Sequence, residues 1–347
     1  MHNCNISESN VYPSYGITIF LSIIFVWLVF ISLIGNLLLC IIVFRQAAMR
    51  SGINLMLTNL AFCDFFTSLL VIPVSLLFLN TKQRCLDEVL CEITATVYTF
   101  LRLEKVQILL IITINRHRII IKGKDGMTQS KSLTLISFSW IVSLFISLLP
   151  LLGWSKYIFE PGYIQCLSNF NEKISASYVL FITLIHIMFP SIILLLLYIS
   201  ILRTVRNKFL RVKQHIIVSQ ISRHKIFNKT IDIPFKIRTT LTLFLISLTY
   251  IVTELPLAIM NVVLFVEGLQ SAQCIAVYSY LVWLSYTHSV IYPVYYYFQI
   301  AKFKESVQNV TSTICRCSIF KWCSRKKWRV CPENLYIIKN RTYICTA

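Results

Sequence analysis

Seven long apolar stretches alternate with polar segments along this chain of 347 residues. Each stretch has about 20 to 29 residues, enough to cross about 30 Å of hydrocarbon as an α-helix. We number them spans one to seven, at residues 17–44, 53–79, 91–118, 132–152, 176–202, 237–265 and 273–298. The pattern predicts an all-α bundle of seven transmembrane helices.

A short amphipathic stretch follows span seven, at about residues 301–311. Phe303 and Val307 fall on one helical face and Lys302 and Lys304 on the other, which is typical of a helix lying along the membrane. We therefore expect a short eighth helix. The chain divides into an outer N-terminus, one membrane domain and a basic, cysteine-containing cytoplasmic tail, at residues 1–16, 17–311 and 312–347.

The basic residues are sorted by membrane side. Of the 33 Lys and Arg residues, 27 lie in four segments that would share one side of the membrane: Arg45 to Arg50, Arg116 to Lys131, Arg203 to Arg238 and Lys302 to Arg341. The positive-inside rule then places the N-terminus outside and the tail in the cytoplasm of a multi-pass plasma-membrane protein. A net charge of +19 also suits nucleic acid, but the charge is not clustered on one domain. We expect membrane lipid and an acidic partner surface instead, and no nucleic-acid partner.

Five cysteines fall in the outer segments, where disulfides form: Cys4, Cys85, Cys91, Cys166 and Cys274. A bridge from Cys91 to Cys166 would hold the loop before span five over the bundle. Cys4 and Cys274 are a second candidate pair, which leaves Cys85 as the odd cysteine.

Modification sites are expected at both ends of the chain. Asn5 begins an Asn-Ile-Ser glycosylation motif in the outer N-terminus. Three cysteines follow the amphipathic stretch: Cys315, Cys317 and Cys323. Each of them is either palmitoylated or an unmodified thiol, and the sequence favours neither. The sequence shows no zinc spacing, no nucleophile with a base and no cofactor motif, so we expect neither an enzyme nor a bound cofactor.

Short motifs stand at characteristic places in every span. They are Gly35-Asn36, Asn59-Leu60-Ala61-x-x-Asp64, Cys91 with Arg116, Trp140 with Pro150, Pro190 with Tyr198, Tyr250 with Pro256, and Pro293-x-x-Tyr296 followed by Phe303. In this order they resemble the rhodopsin-like (class A) G-protein-coupled receptors over about residues 17 to 311. The resemblance implies a receptor that passes an extracellular signal to heterotrimeric G proteins when helix six moves outward, with arrestin as a further partner.

The resemblance also assigns roles at the cytoplasmic side. Arg116 would meet the G protein, and Tyr198 and Tyr296 would turn inward to support the open state. Asn115 stands where relatives carry an acid, and Lys236 where many carry a locking glutamate. Both changes weaken the inactive state, so we expect high basal signalling unless another contact compensates.

Other functions remain open at this point. The altered Asn115-Arg116-His117 motif also fits a seven-helix receptor that does not couple to G proteins and serves in scavenging or trafficking. A transporter or channel could use intramembrane charges as an ion path, but it would be expected to show inverted repeats or broken, Gly-rich spans.

Five charged side chains interrupt the apolar spans: Asp64, Arg102, Glu104, Lys105 and Glu254. Each costs about 2.5–3.5 kcal/mol if left unpaired. The resemblance places Asp64 at a sodium site, whose usual serine, tryptophan and two asparagines are replaced here by Lys105, Glu254, His288 and Tyr292. We expect the Lys105 ammonium to pair with Asp64 and to take the place of sodium.

Glu254 also replaces the tryptophan that often acts as a rotamer switch. The resemblance places Arg102, one helical turn outward of Lys105, at a position that normally touches this tryptophan, and we expect it to pair with Glu254 between helices three and six. A ligand that competes for either partner would loosen helix six; the alternative is that the pair only holds the bundle together. Glu104 faces elsewhere, with no readable partner, and protonation is one way to accommodate it.

The resemblance places a ligand pocket at eight positions: Tyr98, Thr99, Arg102, Thr183, His186, Met260, Val282 and Tyr286. Tyr98 stands where amine receptors carry an aspartate, so the ligand is expected to be non-aminergic. Span seven has no lysine, which excludes a retinal Schiff base there. Arg102 could meet the carboxylate or phosphate of a lipid acid or a peptide terminus.

Overall fold

The computed structural model describes residues 15–81, 88–123, 126–159, 164–170, 172–218, 223–267, 272–299, 303–305 and 307–308. Seven long helices, α1 to α7, follow the seven predicted spans. Their bounds are α1, Tyr15–Arg45; α2, Gly52–Phe66 and Ile72–Thr81 around a π-helical turn at Thr67–Val71; α3, Glu88–Lys122; α4, Gln129–Leu148; α5, Lys173–Phe181 and Phe189–Val218 around a π-helical turn at Ile182–Met188; α6, Arg223–Glu267; and α7, Ala272–Tyr286 and His288–Gln299.

Six of these helices are long and apolar enough to cross a membrane by length and composition alone. The exception, α3, carries Arg102, Glu104 and Lys105 in its middle. The predicted all-α bundle is confirmed. Helix α5 runs on to Val218 and α6 begins at Arg223, so both helices extend beyond the predicted spans. The α-helix of span four is shorter than predicted and ends at Leu148, because Pro150 begins a short 3-10 turn, Pro150–Leu152.

Prolines explain most of the helix irregularities. A proline lacks the N–H that the carbonyl four residues earlier would accept. The π-helical turns in α2 and α5 lie just before Pro73 and Pro190. In α7, Pro293 frees the carbonyl oxygen of Ser289, which instead accepts hydrogen bonds from two α1 side chains.

Those two donors are Ser32 Oγ, at 3.1 Å, and Asn36 Nδ2, at 2.9 Å. The contact requires close approach of α1 to α7. A Cβ atom at Gly35 would lie 2.7 Å from the Cβ atom of Pro293, so this position accepts only glycine without displacing a helix. The Gly35-Asn36 motif thus fixes how α1 packs against the proline of α7.

A short hairpin lies in the loop between α4 and α5. Strands β1, Tyr157–Ile158, and β2, Leu167–Ser168, pair antiparallel. A disulfide joins Cys91 at the start of α3 to Cys166 beside β2, with 5.4 Å between the Cα atoms. The second predicted pair involves Cys4, which lies outside the described residues, as do Cys85, Asn5, Cys315, Cys317 and Cys323.

The chain forms two units, residues 1–304 and 305–347. Within the first unit Phe303 and Lys304 are helical, and within the second Glu305, Val307 and Gln308 are helical. The rest of the predicted eighth helix and the tail lie outside the described residues.

Candidate functional site

Asp64 on α2 is the centre of a buried polar cluster that joins three helices. The Nζ atom of Lys105 on α3 lies 3.3 Å from Asp64 Oδ1 and 2.7 Å from Nε2 of His288 on α7. Ser289 donates a hydrogen bond of 2.8 Å to the same Oδ1. The predicted Lys105–Asp64 pair is therefore present, and His288 is its third member.

The hydrogen bond from Lys105 sets the chemistry of His288. An ammonium group can only donate, so Nε2 accepts in this contact, and the same Nε2 lies 3.5 Å from Asp64 Oδ1. In the part of the chain that the structure describes, His288 Nδ1 and Asp64 Oδ2 have no hydrogen-bond partner. The cluster is electrically balanced by one carboxylate and one ammonium.

The second predicted ion pair links α3 to α6. Arg102 Nε lies 2.6 Å from Glu254 Oε2, with the two side chains 9% and 2% exposed. The guanidinium also lies over the ring of Tyr98, 5.8 Å from its centroid. Its Nη2 atom has no hydrogen-bond partner among the described residues. Arg102 thus has Glu254 on one edge and spare donor capacity on another.

Glu104, for which no partner was readable from the sequence, bonds to α2 and α4. Its Oε1 accepts from Asn59 at 2.8 Å and from Ser139 at 2.7 Å, and its Oε2 accepts from Ser143 at 3.2 Å. Trp140 Nε1 donates a hydrogen bond of 2.8 Å to Oδ1 of the same Asn59. Serines on α4 gave no sequence signal, because serine is common on any helix face.

A cavity of about 60 Å³ lies between α3, α5, α6, α7 and the hairpin loop. Arg102 and Asn261 contribute polar groups to its wall. Asn261 Nδ2 donates to Thr183 at 3.3 Å, while its Oδ1 has no partner among the described residues. Cavities that enclose a drug-sized ligand are about 300–1,000 Å³, so this one is large enough only for a compact polar group.

The described part of the hairpin loop forms one wall of the cavity and enters the bundle. Gln165, Leu167 and Phe170 line the cavity and are buried. Gln165 Oε1 accepts a hydrogen bond of 2.9 Å from the hydroxyl of Tyr286 on α7. In the same loop, burial raises the pKa of Tyr157, which therefore stays a neutral phenol.

Comparison with known proteins decides the family. Residues 35–296 match the family model described as "7 transmembrane receptor (rhodopsin family)". The chain belongs to this family. It is a multi-pass plasma-membrane receptor and not an enzyme.

Several relatives of this rhodopsin-family receptor match over nearly its whole length. A high-affinity lysophosphatidic acid receptor of Xenopus laevis is 31% identical over 330 residues, 91% of this chain and 88% of that protein. The human "Probable G-protein coupled receptor 45" is 30% identical over 348 residues, 96% of this chain and 93% of that protein. The crystal structure of squid rhodopsin shares the fold, with a TM-score of 0.76 at 17% identity, covering 91% of this chain and 93% of that one.

The cavity wall contains half of the positions predicted for a ligand pocket. Four of the eight line it: Tyr98, Thr99, Arg102 and Thr183. Val282, Tyr286 and Met260 do not, because they pack in an apolar cluster with loop residues such as Phe170. His186 is half-buried with its ring 5.4 Å from that of Phe181. The sequence did not reveal the loop residues or Asn261, since only the tertiary fold brings the loop into the bundle.

The residues predicted to act in G-protein coupling lie at the Arg116 end of the bundle. The Tyr198 hydroxyl on α5 lies 3.3 Å from Thr113 Oγ1 on α3 and 3.2 Å from Ser247 Oγ on α6. Asn115 is buried and its Nδ2 has no partner among the described residues. The side chain of Lys236 is not among those that the structure describes.

Two further tyrosines on α7 complete the predicted sites. Tyr292 and Tyr296 are buried, and neither hydroxyl has a partner in the described part of the receptor. The Tyr292 ring lies 5.5 Å from that of His288, and the Tyr296 ring 6.4 Å from that of Phe303. Tyr292 thus adjoins the Asp64 cluster, while Tyr296 packs toward the end of α7.

Proposed function

We propose that this receptor transmits an extracellular signal to heterotrimeric G proteins through outward movement of α6, with its N-terminus outside the cell. The single observation that carries the proposal is the Arg102–Glu254 ion pair between α3 and α6. It adjoins a cavity lined by Arg102, and it lies on the helix that has to move. The pair therefore connects ligand occupancy to the position of α6.

The chemistry of the pair suits a switch. Glu254 is two residues from Pro256, where α6 lacks a backbone hydrogen bond and can bend more readily. A ligand group that draws the guanidinium away leaves Glu254 as a buried charge without its partner. That state is costly, so α6 moves toward a conformation that solvates or re-pairs the carboxylate.

High basal activity is part of the proposal. Asn115 provides no negative charge to hold Arg116, and its buried amide nitrogen lacks a partner among the described residues. The closed state therefore lacks the contact that an acidic side chain at position 115 would give, and the Arg102–Glu254 pair is one restraint on α6 that remains.

Sodium has no role in this mechanism. The Lys105 ammonium already neutralises Asp64 and donates to His288. A second cation beside this carboxylate would be repelled at low dielectric.

An anionic ligand is favoured by Arg102, whose Nη2 has no partner among the described residues. The Xenopus relative is named for lysophosphatidic acid, which carries such a group. We propose that the ligand of this receptor is also an acid.

The experiment that tests coupling is nucleotide exchange on a panel of purified G proteins by the receptor without ligand. We expect exchange above that of empty membranes for at least one G protein, and a further increase in Glu254→Gln. Absence of exchange for every G protein, with correctly folded receptor, would favour the uncoupled alternative.

A further inference from the structure

The cavity has a wall that connects to the lipid-facing side of the bundle. Tyr178 and Ile182 on α5 line the cavity and also belong to an apolar cluster with Ile146 on α4. The half-buried side chains of Leu149 and Phe181 pack against that cluster. Packed apolar side chains therefore continue from the wall of the cavity to the seam between α4 and α5.

On another side, the hairpin loop packs tightly against the bundle. Ile164, Leu167 and Phe170 are buried in a cluster with residues of α2, α6 and α7. The Gln165–Tyr286 hydrogen bond holds the same segment. A ligand that entered through the loop would have to displace these contacts, whereas one that entered along the seam would have to displace the hydrogen bond of 3.1 Å from Tyr178 to the carbonyl oxygen of Ile146.

The polar end of the cavity favours one kind of headgroup. Arg102 offers an N–H without a partner and Asn261 an oxygen without a partner, both in residues at least nine-tenths buried, within the described part of the chain. An anionic oxygen would satisfy the first and a neighbouring hydroxyl the second. A volume of about 60 Å³ admits such a headgroup and excludes the rest of a larger ligand.

We infer that the cavity binds the headgroup of a single-chain anionic lipid, whose acyl chain lies along the seam between α4 and α5. This inference rests on the proposed function and specifies its ligand. Arg102 contacts the anion, Asn261 the adjacent hydroxyl, and Leu149 and Phe181 the chain. Because the anion shares the guanidinium with Glu254, binding weakens the restraint on α6.

The test measures binding without a G protein, so its failure is separate from a failure of coupling. Full-length receptor in phosphatidylcholine nanodiscs is titrated with oleoyl lysophosphatidic acid or with monooleoylglycerol, which differs only in lacking the phosphate. Thermal unfolding is followed by tryptophan fluorescence. To raise the unfolding midpoint by the same amount, we expect monooleoylglycerol to require at least a tenfold higher concentration than lysophosphatidic acid. Glycerol 3-phosphate lacks the acyl chain, and we expect it not to raise the midpoint. A rise with oleate would extend the site to carboxylates.

Variants test the contacts to the headgroup and the contacts to the acyl chain separately. Arg102→Gln combined with Glu254→Gln removes the guanidinium without leaving a buried charge, and we expect the preference for the phosphate to fall to near one. Asn261→Leu and Leu149→Trp should each weaken lysophosphatidic acid severalfold, which keeps the test valid if the double variant does not fold. Lys156→Gln, in an exposed loop, is the charge control and should behave as wild type.

Three results would overturn the inference: equal potency of the two lipids on wild type, a phosphate preference retained in the double variant, or no shift with any lipid. Nucleotide exchange by the unliganded receptor would remain informative in each case.

Discussion

The ammonium of Lys105 lies 3.3 Å from Asp64 Oδ1 and occupies the middle of the helix bundle. The pair is almost completely buried, with side chains 4% and 0% exposed. Removing one partner of such a pair leaves an uncompensated charge, which costs about 3–5 kcal/mol. Its value to the receptor is therefore best measured by changing one partner at a time.

Lys105→Ser is expected to make the receptor sensitive to sodium. The substitution leaves Asp64 as a buried carboxylate with space beside it, and a sodium ion can then neutralise the charge. We expect the unfolding midpoint of the variant to be higher in sodium chloride than in choline chloride of equal ionic strength, with no such difference for wild type. Adding Asp64→Asn should abolish the response; a sodium response in wild type would contradict the assignment.

Glu254→Gln is expected to raise signalling without ligand. The variant replaces an ion pair across α3 and α6 by a weaker hydrogen bond from the charged guanidinium to an uncharged amide. A loss of about 1.4 kcal/mol of restraint shifts the closed-to-open equilibrium about tenfold. Second-messenger output should be measured per receptor at the cell surface. The matched control is Glu172→Gln, which breaks an exposed pair with Lys156 at 3.8 Å and should change nothing. Unchanged output from Glu254→Gln would mean that the pair only stabilises the bundle.

Asn115→Asp is expected to lower signalling without ligand. The carboxylate adds a charge-assisted contact for Arg116, which stabilises the closed state. The same cell assay applies, and Asn115→Ala should stay at or above the wild-type output because it adds no charge. Equal or higher output from the aspartate variant would be incompatible with a weakened lock.

Glu104→Leu is expected to destabilise the receptor. Asn59 and Ser143 would lose the Glu104 acceptor, while Ser139 would keep the carbonyl oxygen of Ile136, and an unsatisfied buried polar group costs about 1–3 kcal/mol. Gln107→Leu removes only one donor to Ser143 and should lower the unfolding midpoint less. If both variants unfold at the wild-type temperature, Glu104 does not hold α2, α3 and α4 together.

The sequence by itself determined the seven helices, because the hydrocarbon thickness fixes the length of an apolar helix that can cross it. It also determined that the charges inside the apolar spans need partners, because an unpaired buried charge is costly. The assignment of Lys105 to Asp64 and of Arg102 to Glu254 was implied by the resemblance to rhodopsin-like receptors, and the structure contains both pairs.

Only the tertiary structure decided what surrounds the ligand cavity. Glu104 accepts hydrogen bonds from uncharged residues on two other helices. The sequence does not indicate which polar residues of α2 or α4 would be these donors. The loop containing Gln165 packs against Val282 and Tyr286, two residues that were expected to contact the ligand. Loop placement depends on packing between residues far apart in the chain, and no local pattern of apolar and polar positions encodes it.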